Sequence, residues 1–288
     1  MTVHAEPATV ALVTADAGVR RRPSGEAVIT IGALVWMAVV LVAAAFPGVL
    51  APEDPTQVIA TRALQAPGET LLGTDQYGRS VFTLIVHGAQ TSIIIGLAAT
   101  VIATVIGGGL GLLGGYLGGA TDMIIGRIID TLMCFPGVLL ALVIATALGP
   151  TTANLILAVG LGSLPGFARV MRGQVMSVRS RLYVEAAHSV GFSRWRILGR
   201  HVLPNSMAPI VVLATVSVGT AIVVAASLSF LGLGPKSPVP DWGQLLAGGQ
   251  PYLASAWWIS TFAGLAITLT VIAISLLGDW LRDRLDTD

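Results

Sequence analysis

The chain has 288 residues, of which 54% are hydrophobic and 11% charged, and its mean hydropathy is +0.83. Soluble globular domains carry about a quarter charged residues, so these values exclude such a domain and place most of the chain in a lipid bilayer. The net charge of +1 lacks the basic excess of a nucleic-acid-binding surface. We therefore expect a protein that contacts membrane lipid and no nucleic acid.

Five intervals without charged residues divide the chain, and a charge at mid-bilayer is costly. The third interval is too long for one helix and is broken at Gly149 and Pro150. A membrane-spanning helix needs about 20 residues. The pattern therefore predicts an all-α membrane protein with six transmembrane helices, at about residues 28–48, 91–117, 123–148, 151–171, 206–231 and 256–280.

The basic residues set the orientation. With both termini in the cytoplasm, thirteen arginines fall inside, and only Arg62, Arg79 and Lys236 fall outside, as the positive-inside rule requires. The first helix is long enough to be retained rather than cleaved as a leader.

Five regions follow from this topology. They are a cytoplasmic segment 1–27, the first helix 28–48, an external segment 49–90, a core domain 91–280 with five helices, a cytoplasmic loop 172–204 and an external loop 232–255, and a cytoplasmic tail 281–288. Within the external segment, Val81, Phe82, Leu84 and Ile85 form one apolar face, which predicts a short interfacial helix.

Two glycine patterns have different meanings. Residues 109–114 fit the dinucleotide motif G-x-G-x-x-G but lie inside a predicted membrane span without a preceding strand. Gly107, Gly111 and Gly115 recur every fourth residue, which favours close helix packing instead.

Nothing in the chain indicates catalysis or cofactor binding. Lys236 is the only lysine and follows a proline, so no phosphate-binding loop exists and ATP hydrolysis must come from another chain. Cys134 is the single cysteine, and the four histidines lack metal-ligand spacing. We expect a subunit that is not an enzyme and binds no metal or cofactor.

The cytoplasmic loop 172–204 predicts a docking element. A short helix is expected to start near Ser180, whose hydroxyl would cap it, with Glu185 near the positive end of its dipole. Ala186, Ala187 and Val190 would form a small apolar face, and Gly191 would end the helix with positive φ. Such a helix fits a groove on a partner.

The spacing Glu185-Ala186-Ala187-x₃-Gly191, followed by Pro204, resembles the EAA loop of ABC importer membrane subunits. The sequence of residues 200–205 resembles the second, C-type subunit of the dipeptide/oligopeptide/nickel branch. Further similar stretches are 72–79, 130–136, 228–234, 240–243 and 278–283. This branch usually has an acidic residue at Ser80, arginine at Gln90 and glutamate at Ala225.

The resemblance implies a type I importer fold in the cytoplasmic (inner) membrane of a bacterium. It also implies a similar second permease subunit, two ATP-binding subunits that use ATP and Mg, and an extracytoplasmic solute-binding protein. The residues it assigns to ATPase coupling are Tyr183, Glu185, Ala186, Ala187, Gly191 and Pro204.

Other polar residues are weaker candidates. Arg127 and Asp130 are three residues apart on one helix and are expected to form a structural ion pair. Asn154, Ser217 and Thr220 are polar within spans and are candidates for the substrate path, although such residues often only bridge helices.

The expected function is ATP-driven import of peptides of the dipeptide or oligopeptide class by alternating access. Three alternatives remain open from the sequence: an ATP-independent secondary transporter or channel, the same importer type acting on nickel or another small solute, and a membrane scaffold.

Overall fold

The computed structural model describes residues 23–285, which are almost entirely helical. The segment 1–22, with three of the arginines used for orientation, and residues 286–288 lie outside the described residues. The α-helices are α1 Pro23–Ala45, α2 Pro47–Leu50, α3 Val81–Ile102, α4 Gly108–Leu117, α5 Gly119–Met133, α6 Gly137–Leu148, α7 Thr152–Arg179, α8 Leu182–Ser189, α9 Arg194–Ile197, α10 Leu203–Leu228, α11 Trp242–Gly249 and α12 Trp258–Leu285.

The described residues contain five continuous helical segments that are long and apolar enough to cross a membrane, and one bent pair. The continuous segments are Val28–Ala45, Val81–Leu117, Thr152–Arg179, Arg194–Leu233 and Trp258–Arg284. The pair α5 and α6 bends by 89°. Counting that pair as one crossing gives the six spans predicted from the sequence.

The predicted interfacial helix is wrong. Residues 81–85 form the first turns of α3, which continues through a π-helical segment, Ala103–Gly107, into α4. Ser80 caps this helix by accepting a hydrogen bond from the Thr83 backbone N–H (3.4 Å), as an aspartate there would also do. Val81 and Leu84 are fully buried in a cluster with Trp258, so the apolar face packs on protein rather than on lipid.

The predicted single helix over 123–148 is also wrong. Pro136 separates α5 from α6, because proline lacks an N–H for the helix and keeps the residue before it out of the α conformation. Ala141 and Ala145 of α6 are buried beside α7, so the break turns the chain back onto the bundle.

Two helices extend further into the cytoplasmic loop than predicted. Helix α7 runs to Arg179, and helical structure resumes at Arg194, passes through the π-helical segment Leu198–Val202 and continues into α10. Only residues 180–193 therefore remain between them, and α8 occupies most of that stretch.

Glycine contacts between α4 and α7 confirm the predicted close packing. A Cβ on Gly107 would meet the backbone oxygen of Leu164, and one on Gly111 would meet that of Ala168. A Cβ on Gly115 would lie 2.9 Å from the backbone oxygen of Arg172. The two helices approach closely only because this face has no side chains.

Candidate functional site

Helix α8 lies at the end of the bundle that the basic residues predict to be cytoplasmic, and it ends at a glycine. Gly191 has a φ of +85°, as predicted. The Phe192 N–H donates to the Ala187 oxygen (3.2 Å), and the Gly191 N–H donates to the His188 oxygen (3.0 Å). These two bonds form a Schellman motif, in which a left-handed residue closes the helix. The end of α8 is therefore fixed by backbone geometry.

The predicted start of α8 needs one correction. The residue before the helix is Arg181, which makes no side-chain cap. The Ser180 hydroxyl donates to the Ser177 oxygen (2.9 Å) instead, because α7 continues to Arg179 and Ser180 completes its last turn. Glu185 does lie in the first turn of α8.

One face of α8 anchors it to the bundle. Val184 and Ala187 are buried, and they belong to a core cluster with Met171, Val175 and Ile197 from α7 and α9. Residues three apart share one face of a helix. Ala187 therefore anchors α8 to the bundle, whereas its neighbour Ala186 does not.

The opposite face of α8 is exposed and partly apolar. Glu185 and Ala186 are exposed, and Leu182 and Val190 beside them are 82% and 75% exposed. In the next helix, Trp195 is 65% exposed. Apolar side chains grouped on a surface mark an interaction site. We call the exposed residues Leu182, Glu185, Ala186, Val190 and Trp195 the docking face.

Side-chain contacts fix the elbow between α8 and α9. The Tyr116 hydroxyl at the end of α4 donates to the Arg194 oxygen (2.6 Å). The ring of Phe192 stacks on His201 with centroids 6.3 Å apart, and the Arg196 guanidinium lies 5.6 Å from the Phe192 centroid. A force on the docking face would therefore pass to α4 and α10.

The coupling residues predicted from the sequence occupy different positions. Tyr183 is 41% exposed on the flank of α8. Pro204 lies in the first turn of α10, a position that tolerates proline, and outside α8. The sequence analysis missed Leu182 and Trp195, although apolar residues in an arginine-rich loop are a usable signal.

The predicted ion pair is wrong in one partner. Asp130 Oδ1 lies 2.8 Å from Nη2 of Arg169 on α7, and the described salt bridges contain no pair between Asp130 and Arg127. Helices α5 and α7 pack together, so the Asp130 carboxylate reaches a neighbouring helix rather than its own. Both partners are more than half exposed, so the pair contributes little to stability.

The three candidates for the substrate path have different structural surroundings. The Asn154 amide donates to the oxygens of Leu148 (2.6 Å) and Gly149 (3.1 Å), so this side chain caps the end of α6. Ser217 is half-buried on α10. Thr220 lines a cavity of about 450 Å³ beside Pro136, at the bend between α5 and α6. Thr220 is the one of these three that lines this cavity, and the assignment of all three to the substrate path stays a prediction.

A compact external cap is built from residues 51–80. Its centre is the buried Asp75, which accepts hydrogen bonds from the backbone N–H groups of Tyr77 (2.9 Å) and Arg79 (2.8 Å). The Arg79 guanidinium bonds the same carboxylate at 2.7 and 2.8 Å and donates to the Pro238 oxygen (3.0 Å). Asp75 and Arg79 thereby join the two external loops.

Two glycines allow this cap to close. Gly73 and Gly78 have φ values of +79° and +76°. A Cβ on Gly73 would lie 2.5 Å from the Trp258 indole nitrogen, and one on Gly78 would meet the Ile59 oxygen. The stretch 72–79, which carried part of the family resemblance, therefore has a structural role in holding the external cap together.

The variant Asp75→Asn should loosen the external cap. It keeps an acceptor for the backbone N–H groups but removes the charge that holds Arg79, and breaking a buried ion pair costs about 3 kcal/mol. We expect faster tryptic cleavage at the exposed Arg62, measured on the purified chain. The matched control is Asp54→Asn, because Asp54 is exposed and its side chain accepts hydrogen bonds from Thr56. Equal cleavage of the two variants would contradict this role for Asp75.

A second buried carboxylate organises the other external loop. Asp241 Oδ1 caps α11 by accepting from the N–H groups of Gly243 (2.8 Å) and Gln244 (3.0 Å), and Oδ2 accepts from Ser229 (2.9 Å). Burial raises the pKa of Asp241 above its usual value despite these hydrogen bonds. Ala225, where the branch usually has glutamate, lines the small cavity beside Asp241, so this chain lacks a second carboxylate there.

The variant Asp241→Asn should gain stability relative to the wild type as the pH rises. A pKa raised in the folded state means that the wild type loses stability as pH increases from the unfolded pKa, about 3.9, through the folded one. Asparagine keeps the cap without titrating. We expect the difference in thermal unfolding temperature, variant minus wild type, to be larger at pH 7.5 than at pH 3.5, which lies below the unfolded pKa. Asp241→Ala, which loses a cap worth about 1 kcal/mol, should be less stable than Asp241→Asn at both values. A difference that shrinks with pH would contradict this assignment.

Known proteins resemble this chain in sequence and in fold. The family model described as "binding-protein-dependent transport system inner membrane component" matches residues 107–288. Among solved structures, an inward-facing form of the MetNI methionine ABC transporter has a chain with a TM-score of 0.58 at 18% identity. The match covers 70% of this chain and 96% of that chain, which shows a shared fold.

Relatives are similar over most of their length. The probable D,D-dipeptide transport system permease protein DdpC of Escherichia coli is 40% identical, over 90% of this chain and 87% of that protein. The dipeptide transport system permease protein DppC of Alkalihalophilus pseudofirmus is also 40% identical, over 89% and 84%. The glutathione transport system permease protein GsiD of Pectobacterium atrosepticum is 44% identical, over 75% and 71%. The family match, these relatives and the shared fold together show that the chain belongs to the binding-protein-dependent inner membrane components, the permease subunits of ABC importers.

Proposed function

We propose that this chain carries short peptides across the inner membrane as one of two permease subunits, powered by separate ATP-hydrolysing subunits that bind the docking face of α8. The observation that carries the proposal is the two-sided structure of α8. Val184 and Ala187 fix it to the bundle, while Leu182, Ala186 and Val190 are left exposed.

The peptide substrate is supported by the relatives. Those of about 40% identity are named for dipeptides, D,D-dipeptides and glutathione, which share a short peptide backbone. The likeness covers both external loops and the bundle, so a substrate of the same class is the simplest proposal.

The proposed motion starts at α8. Closure of an ATPase dimer would move the docking face, and the elbow fixed by Tyr116 and His201 would pass that movement to α4 and α10. Thr220 lines the cavity between α10 and the bent pair, so movement of α10 would change the width of the proposed path. The helices would then rock against each other and open the path to each side of the membrane in turn. An extracytoplasmic solute-binding protein would deliver the peptide to the external cap.

Uptake of a labelled dipeptide tests the proposal. Cells lacking the gene should lose ATP-dependent, vanadate-sensitive uptake, and the wild-type chain should restore it. Ala186→Arg should restore less than a tenth of it, because a charge then occupies the centre of the docking face, whereas Ser177→Arg, an exposed position on α7, should restore it fully. If cells lacking the gene lose nickel uptake but keep dipeptide uptake, the peptide substrate is refuted. Dipeptide uptake that vanadate does not block would refute the ATP-driven mechanism.

A further inference from the structure

A basic pocket lies beside α8 at the cytoplasmic rim of the bundle. It has a volume of about 160 Å³ and is lined by Tyr116, Leu117, Arg179, His188 and Arg194. The helices α4, α7, α8 and α9 each contribute to it. Tyr116 and the Arg194 backbone also form the elbow described above, but the side chains of Arg179, His188 and Arg194 have no role in that coupling scheme.

The electrostatics of this pocket favour an anion. Two arginines and a histidine line it, and no carboxylate does. The carboxylate of Asp122, at the start of neighbouring α5, is held by Arg172 at 2.5 and 2.8 Å. Within residues 28–284, neither Arg194 nor His188 forms a salt bridge through its side chain.

Hydrogen bonds fix the Arg179 guanidinium and the backbone of Arg194 in this pocket. Arg179 Nη1 donates to the carbonyl oxygens of Tyr116 (3.0 Å) and Gly115 (3.4 Å), which caps the end of α4 and leaves its other N–H groups available. The Arg194 backbone is held by the Tyr116 hydroxyl. Arg179 is therefore held in place before an anion binds, and Arg194 extends its side chain from a fixed backbone position.

An exposed apolar stripe leads from the pocket into the membrane. Ile106, Leu113 and Leu117 are each between 38% and 45% exposed. Eleven residues at about 100° each bring Leu117 back to within about 20° of Ile106, and the rise between them is about 16 Å. That length is close to half of the hydrocarbon core, which is about 30 Å thick. The stripe matches one acyl chain in the inner leaflet.

The pocket lies on the flank of α8, to one side of the docking face. Six residues separate Leu182 from His188, so the two side chains point about 120° apart around α8. Helix α4 also turns its glycine face towards α7, which leaves the stripe on the outside. These directions favour lipid over the ATP-hydrolysing subunit as the occupant.

We infer that this pocket binds the phosphate headgroup of an anionic phospholipid of the inner leaflet, with one acyl chain lying along Ile106, Leu113 and Leu117. Charge-assisted hydrogen bonds from arginine to phosphate supply the headgroup contact, and basic pockets between transmembrane helices on the cytoplasmic side are suited to anionic lipids. The inference concerns this chain alone and stands whether or not its substrate is a peptide.

Native mass spectrometry of the full-length chain in detergent tests the inference, with phosphatidylglycerol and phosphatidylcholine of identical acyl chains as probes. Wild-type protein should bind phosphatidylglycerol at about a tenth of the lipid concentration that phosphatidylcholine requires for equal binding. Arg194→Gln should remove that preference, and Arg194→Lys should keep most of it. The matched control is Arg196→Gln, which makes the same charge change on α9 outside the pocket and should leave the preference intact.

Further arms separate the sources of binding. Leu117→Gln should weaken phosphatidylglycerol binding several-fold, and soluble glycerol 3-phosphate should bind far more weakly than the lipid. Equal losses in Arg194→Gln and Arg196→Gln would overturn the inference, as would binding of glycerol 3-phosphate as tight as that of the lipid. If Arg194→Gln keeps the lipid preference but loses a co-purifying ATP-hydrolysing subunit, the pocket belongs to a protein contact and the inference is wrong.

Discussion

Replacing Gly191 by valine should reduce transport at least tenfold while the chain still inserts in the membrane at normal abundance. Gly191 closes α8 with φ +85°, a left-handed conformation that costs an L-residue about 1–2 kcal/mol and is least suited to a β-branched side chain. The Schellman bonds from Phe192 and Gly191 would then be lost, and the docking face would lose its fixed angle to α9. Vanadate-sensitive uptake, normalised to membrane abundance, is the measurement.

Two matched variants separate backbone conformation from side-chain bulk at this position. Gly191→Asn should keep at least half of the uptake, because asparagine tolerates left-handed geometry. Gly199→Ala should be neutral, since Gly199 has no positive φ and a Cβ there meets nothing within 4 Å. Full uptake by Gly191→Val would show that the end of α8 is not part of coupling.

Gly111→Ala should lower the thermal stability and the membrane abundance of the chain more than any other alanine variant on α4. Its Cβ would meet the backbone oxygen of Ala168 and lie 2.9 Å from the Arg172 nitrogen, and helix backbone cannot move aside as a flexible side chain would. Overpacking of this kind costs about 3 kcal/mol.

Gly109→Ala provides the control on the same helix. Gly109 is two residues away, and a Cβ there meets nothing within 4 Å. Alanine should therefore be neutral or stabilise the helix by about 0.5–1 kcal/mol. Heating the two purified variants in detergent and measuring the remaining monodisperse protein by size exclusion compares them. Equal melting of both would contradict the packing role of Gly111.

Local chemistry allowed much of this fold to be predicted. The six spans follow from charge-free intervals, and the packing face of α4 follows from glycines at every fourth residue. The positive φ of Gly191 follows from a glycine at the end of a short helix. In each case the physical cause lies within one segment of the chain, so the sequence alone contains it.

Features that depend on a second segment were missed. The first turn of α3 is amphipathic, but the partner of its apolar face is Trp258, far along the chain, rather than lipid. Asp130 has an arginine three residues away but bonds Arg169, because α5 packs on α7. Likewise, nothing in the sequence distinguishes the anchoring Ala187 from the exposed Ala186 until the position of the bundle is known.

Helix ends were the other source of error. Ser180 has the side chain of a typical cap, yet α7 uses the residues before it and α8 begins without one. Apolar periodicity stops at the membrane surface, but backbone hydrogen bonding does not, so α7 continues past the predicted span to Arg179.

Site-specific photocrosslinking from α8 tests most directly whether the docking face binds an ATP-hydrolysing subunit. A photoreactive residue at Ala186 should capture such a subunit in intact membranes. The same residue at Leu71, which is exposed in the external cap, should capture none. Capture from Ala186 in high yield, identified by mass spectrometry as an ATP-hydrolysing chain, is the predicted result. Correctly inserted, transport-active protein that crosslinks from Ala186 only to lipid, or to a chain without nucleotide-hydrolysing activity, would contradict it.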